Sequence, residues 1–306
     1  MNITLDWAPS LRVYATAGVP GWRRVLAVAD AAVARVQSLW HGLFLEVRTR
    51  LRPASLEEAI QAPNILEAHM RVAQVWEQVV ERPARSLLPI IGEAVVEEAA
   101  TAVIPEMNHL IGRPVTYTPG LVETRQAIDT LVGTQIRAIS QTTLQTVRNV
   151  LQEGWRAGKH PRTLARELRQ VLGLTPRQHQ AIARQEALLR VAGESATQIR
   201  REVARLTQRA LTQRALLIAR TESLAWSNLG AYQVLAESVR RGYTEEERVR
   251  RQWLLTPGAC PQCAQIPGMN PEEGVGLRQE FETPYGPLLL PPAHPACRCT
   301  TTTSLV

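Results

Sequence analysis

The chain is 306 residues long, with 45% apolar residues, 21% charged residues and a formal net charge of +7. That length allows two modest domains or one large one with an extension, and the composition is ordinary for a globular protein. Its apolar runs stop short of the roughly 20 residues a membrane helix needs, so no membrane partner is expected.

Aromatic residues make up 5%, with only two Phe, so the expected core is aliphatic, helix packed on helix. The start, Met1-Asn2-Ile3-Thr4-Leu5-Asp6, has no basic region ahead of an apolar one. Synthesis in the cytoplasm, where thiols stay reduced or metal-bound, is therefore expected. Residues 1–20 read as irregular, because Pro9, Gly18 and Pro20 interrupt any continuous element. From about residue 22 to 52, Val25, Val28, Ala32, Val36, Leu39 and Leu43 share one helical face, which Pro53 ends. A second helical region covers about 56–103, with breaks expected near Pro63, Pro83 and Pro89. Residues 105–119, with Gly112, Pro114 and Pro119, read as a linker and domain boundary.

A long helix is predicted over about 121–154 from the stripe Ile128, Val132, Ile136, Ile139, Thr143, Val147 and Val150. A short helix follows from His160 to Leu172, and Thr175-Pro176 supplies the N-cap and first residue of the next. Another long helix covers about 195–241, carrying Ile199, Val203, Leu206, Ala210, Leu217 and Leu224. After Gly242 the pattern changes: residues 250–255 alternate like a strand, 288–290 offer a second strand, and 300–306 a closing one. The expected fold is mainly α, long helices in the N-terminal and central regions followed by a small, loop-rich, metal-stapled C-terminal β cap. Its expected parts are a helical extension (1–115), a long-helix part (116–242) and a Cys/His-rich cap (243–306).

Charge is unevenly spread. Residues 151–220 hold 14 Arg or Lys against 5 Asp or Glu, and Lys159 is the single lysine of the chain. Arg200, Arg201, Arg205, Arg209 and Arg214 are thus candidates for contact with a phosphate backbone, against the plainer reading of a solvated helix face.

All four cysteines lie in the last fifty residues, as Cys260-Pro-Gln-Cys263 and then His294-Pro-Ala-Cys297-Arg-Cys299. A CxxC turn directs two thiolates at one ion, and a CxC pair shares one face of a strand. With His294 in reserve there are five ligands for a four-coordinate zinc, which favours a closed structural site over a catalytic one. Reduced thiols packed as small hydrophobes, or disulfides, remain alternatives. Arg220-Thr221-Glu222 on the preceding helix could hold the cap down, and Trp253 could anchor it. No P-loop, GxGxxG, HExxH or GxSxG motif occurs, and no catalytic residue or small-molecule substrate is expected.

Three blocks resemble the Mu-gpF-like phage head morphogenesis proteins, the minor head or minor capsid proteins of tailed phages. The first is Gly154-Trp155-Arg156-Ala157-Gly158-Lys159-His160-Pro161-Arg162-Thr163-Leu164-Ala165 with Leu172-Gly173-Leu174-Thr175-Pro176-Arg177-Gln178. The second is Ile218-Ala219-Arg220-Thr221-Glu222 with Asn228 and Gly230. The third runs from Trp253 through the CxxC turn, Ile266-Pro267-Gly268, Phe281 and Thr283-Pro284-Tyr285-Gly286 to Pro291-Pro292-Ala293-His294-Pro295-Ala296-Cys297-Arg298-Cys299. Together they cover about residues 120–302, and the PPxHPxCRC block is the specific one. Pro257-Gly258-Ala259 departs from the acidic turn that the pattern leads one to expect before the first cysteine.

The resemblance implies a virion protein at the capsid interior or portal vertex, made in the bacterial cytoplasm. Its implied partners are portal and capsid proteins, and the surplus of positive charge over residues 151–220 adds an expected weak, non-specific DNA contact. A zinc-dependent nucleic-acid enzyme and a zinc-ribbon DNA-binding protein are the alternatives. An open coordination position beside a general base would distinguish the first, and a recognition helix the second.

Overall fold

The structure, a computed structural model, describes residues 20–51, 53–62 and 64–306. Residues 1–19, read above as irregular, lie outside them. The elements in chain order are α1 (Gly21–Arg50), α2 (Pro53–Ile60), α3 (Ile65–Trp76), α4 (Arg82–Ile111), α5 (Val122–Arg156), α6 (Pro161–Val171), α7 (Pro176–Val191) and α8 (Ala196–Arg240). The C-terminal part holds β1 (Val249–Leu254), the short α9 (Pro261–Gln265) and β2 (Thr300–Leu305). The fold is mainly α with a small two-stranded C-terminal sheet, as the patterning predicts. No helix among the described residues is long and apolar enough to cross a membrane.

The helices follow their apolar stripes. Every residue of the α5 stripe, from Ile128 to Val150, is buried. Thr175 opens α7 with a reciprocal capping box: its side chain accepts the Gln178 N–H while Gln178 reaches back to the Thr175 N–H. The expected breaks at Pro83 and Pro89 do not occur, and neither does the linker start at Pro105, because α4 runs through all three. Ahead of Pro83 a π-helical turn, Glu77–Glu81, widens the coil, and Arg82 N–H reaches back to the Glu77 carbonyl. Pro89 and Pro105 leave the carbonyls of Arg85 and Thr101 without their usual donor. Both of those residues are exposed, so water can take the place of the missing N–H. The second expected strand shrinks to one bridge, Phe281 with Leu288, because Pro287 and Pro291 remove the donors on either side.

Two compact units are assembled from separate chain segments: residues 20–34, 90–129 and 217–306 in one, and the described residues of 35–89 and 130–216 in the other. In the first, α8 approaches α4 so closely that a side chain at Gly230 would lie 2.3 Å from the Val96 carbonyl oxygen, so only glycine fits. The second packs Trp40, Phe44 and Trp76 as an aromatic run, with ring centroids 5.8 Å and 6.2 Å apart. There the Trp76 indole N–H donates to the Ser140 hydroxyl at 2.9 Å.

Candidate metal centre

The cap is closed at its base by β1 and β2, antiparallel with Val249 opposite Leu305 and Leu254 opposite Thr300. Along β1 the inward residues are Val249, Arg251 and Trp253. Trp253 packs edge-on against Phe281 at 5.3 Å, in an apolar cluster with Cys263, Ile266, Val275, Cys297 and Cys299. Trp253 therefore organises the cap from within. The apolar seam with α8 is made instead by Val249 and Leu277, which pack with Val234, Leu235 and Tyr232.

Arg251 is a functional residue of the scaffold that the sequence reading missed. Its guanidinium is 1% exposed and donates to the carbonyls of Gly276, Gln279 and Leu289. It also lies 5.1 Å from the Phe281 ring centre and 5.4 Å from that of Tyr232. Burial lowers its pKa to about 10, still charged at neutral pH. The signal was its inward register between Val249 and Trp253. Beside it, Gly274 adopts φ +97°, and a Cβ there would meet the Arg251 carbonyl oxygen at 2.5 Å.

Inside this frame the cysteines and histidine come together. His294 Nε2 lies 3.1 Å from Cys260 Sγ and 3.2 Å from Cys263 Sγ, and Cys263 Sγ lies 3.8 Å from Cys297 Sγ. The five residues form two overlapping triads, Cys260–Cys263–His294 and Cys263–Cys297–Cys299, with ligand atoms within 4.8 Å in each. All four thiols are free, so the disulfide alternative is set aside. This cluster could hold a metal ion.

Local chemistry fits that occupant. The backbone N–H of Cys263 donates to Cys260 Sγ and that of Cys299 to Cys297 Sγ, both at 3.4 Å, as N–H groups do toward charged sulfur. His294 Nδ1 lies 2.8 Å from the Pro295 carbonyl, so Nδ1–H donates there and Nε2 presents its lone pair to the sulfurs. The buried Trp253 indole N–H meets no oxygen or nitrogen acceptor and lies against Cys299.

The thiols are also unequal. The Cys299 side chain, helped by the backbone N–H groups of Cys299 and Ala293, holds the Cys297 thiol down at about 5. Cys299 is raised in turn by the same contact and by burial. Burial and the Cys297 charge push Cys263 up to about 12, whereas the Cys263 N–H lowers Cys260. Burial works against the His294 imidazolium, but the Pro295 carbonyl and the Cys297 thiolate outweigh it and raise its pKa.

From the Arg220–Thr221–Glu222 triplet it is Thr221 that reaches the cap: its hydroxyl accepts the Ala296 N–H at 3.1 Å. Glu222 is buried and Arg220 half-buried on the same helix. Two turns on, Asn228 accepts the Thr300 hydroxyl at 2.6 Å and donates to the Pro291 carbonyl at 3.4 Å. A two-pronged ion pair from Arg298 to Asp30 adds a contact with α1.

The arginines of α8 divide. Arg200, Arg201, Arg205 and Arg209 are exposed, Arg205 being paired with Glu202. Arg214 is corrected: it is 5% exposed and cannot reach a phosphate. Its guanidinium donates to the carbonyls of Ile139 and Gly173 and to the hydroxyls of Thr142 and Thr143, and burial lowers its pKa to about 10. The charge count overstated what α8 presents to solvent. No family model, curated protein or solved structure matches the chain.

Proposed function

We propose that the chain is an assembly protein of a tailed-phage head, a minor capsid component that binds portal or capsid interior and carries a zinc-stapled cap. One observation supports this most. The blocks that carry the family resemblance are far apart in sequence, yet Thr221 meets Ala296 and Asn228 meets Thr300 and Pro291 within one unit. The motif residues thus serve to seat the cap on α8, as a binding module requires. Zinc suits a donor set rich in thiolates with one imidazole. Its four positions are best filled by Cys260, Cys263, His294 and Cys297, with the Cys299 side chain beside Cys297 as the reserve donor. Co-expression with the portal protein encoded in the same genome tests the assembly role. Retention of the chain on tagged portal through a moderate-salt wash is expected, and its complete loss overturns the reading.

A further inference from the structure

The exposed arginines of the second unit are of two kinds. On α8, Arg205 is neutralised by Glu202 and Arg200 donates to Thr197, which leaves Arg201 and Arg209 eight residues apart with the neutralised Arg205 between them. On α6 the pattern differs. Arg162, Arg166 and Arg169, spaced by four and then three residues, lie on its exposed face, opposite the buried Leu164, Ala165, Leu168 and Val171. Among the described residues none of the three is paired with a carboxylate; Glu167 of the same helix is held by Lys159 at 2.8 Å.

At the end of this row the last turns of α1 and α6 meet and exchange arginines. Arg48 Nε–H donates to the Arg169 carbonyl at 3.2 Å, and Arg169 Nε–H donates to the Arg48 carbonyl at 3.0 Å. Two like charges are thereby held side by side, their repulsion eased by the negative ends of the two helix dipoles. Burial and the neighbouring Arg169 charge lower the Arg48 pKa. Each guanidinium spends only its Nε–H on this exchange, and among the described residues the Nη groups of both are uncommitted.

We infer that Arg48, Arg162, Arg166 and Arg169 form a binding patch for the phosphodiester backbone of nucleic acid. This deepens the proposed reading, in which packaged DNA is a contact, and it moves that contact from α8 to the face of α6. The reciprocal bonds order two of the side chains in advance, which lowers the entropy lost when an anion is engaged. A row of cations with no large apolar residue exposed on α6 suits a uniform polyanion. A specific protein partner would require a desolvated apolar centre instead.

The test is a titration of the full chain with a fluorescent duplex of about 25 base pairs and arbitrary sequence, between about 50 and 200 mM salt. The triple variant Arg162→Gln, Arg166→Gln, Arg169→Gln should bind more weakly, with a log–log salt slope shallower by about 2.7, or 0.9 per lost phosphate contact. A control triple on α8, Arg201→Gln, Arg205→Gln, Arg209→Gln, should change the slope by less than about 1. Circular dichroism checks the fold; if the α6 triple is misfolded, Arg166→Gln alone is used, with an expected change of about 0.9. An unchanged slope in the folded α6 variant overturns the patch. So does retention on polyglutamate rather than DNA, which would mean an acidic protein partner. Portal co-purification of the α6 variant is read separately, so the failure of one proposal is distinguishable from that of the other.

Discussion

Thr221 on α8 and Ala296 in the cap are joined by a hydrogen bond from the Ala296 N–H to the Thr221 hydroxyl, at the one described non-glycine residue with a positive φ, +65°. That turn sets the direction in which Cys297 leaves the His294–Pro295 segment. The cost of a left-handed alanine, about 1–2 kcal/mol, is thus tolerated where it aims a sulfur. Thr221→Val should destabilise the chain by about 1 kcal/mol and speed zinc loss to a chelator. Ala296→Gly should leave metal content unchanged and stability nearly so, as relief of strain offsets the added freedom of the unfolded chain. Denaturant melts and chelator-competition rates read both, and a Thr221→Val variant with parental zinc release would detach the helix from the site.

Protein purified without chelator should contain about one zinc per chain. Serine at Cys260, Cys263 or Cys297, or alanine at His294, should abolish that stoichiometry, whereas Cys299→Ser should retain most of it. Elemental analysis decides, and equal loss from Cys299→Ser and Cys263→Ser would overturn the ligand assignment.

Trp253→Ala should cost about 3–5 kcal/mol, because the side chain is 6% exposed and fills the centre of the cap cluster. Since that cluster also packs against Cys263, Cys297 and Cys299, the melt should be accompanied by weaker zinc retention. A variant that melts like the parent would mean the cluster repacks without it.

Glu237 ties the segment after α4 to the end of α8. It accepts the Thr118 N–H at 2.9 Å, the Thr118 hydroxyl at 2.6 Å and the Arg241 guanidinium at 2.6 Å. Burial opposes its charge, but these donors prevail and hold its pKa below the usual 4.5. A depressed folded-state pKa means the stabilisation is complete above the unfolded value and is lost as pH falls through the folded one. Urea midpoints should therefore drop on acidification below about pH 4.5, and Glu237→Gln should be less stable at neutral pH with that acid-dependent component removed.

Much of the helical frame was legible because burial and periodicity coincide: the α5 stripe and the Thr175 cap are local facts. Pro83, Pro89 and Pro105 misled because a proline's effect depends on whether the orphaned carbonyl can find water or a widened turn, and that is set by tertiary placement. Arg214 and Arg205 look alike in sequence, yet one is enclosed by carbonyls and hydroxyls and the other stands in solvent beside Glu202. The metal cluster was legible from spacing alone. Asn228 was visible only as part of a motif, and nothing local foretold its contact with Thr300.

The pairing of Leu254 with Thr300 makes the whole intervening segment a lariat, leaving and rejoining the fold at one doorway. A bound ion at Cys263 and Cys297 would cinch that lariat close to its neck, closing residues 263–297 into a second ring inside the first. In polymer terms such a cinch acts on the unfolded chain, whose freedom shrinks with each ring closed. The cap should then open as a single event upon demetallation, and proteolysis should nick residues 255–299 together rather than fray them one by one.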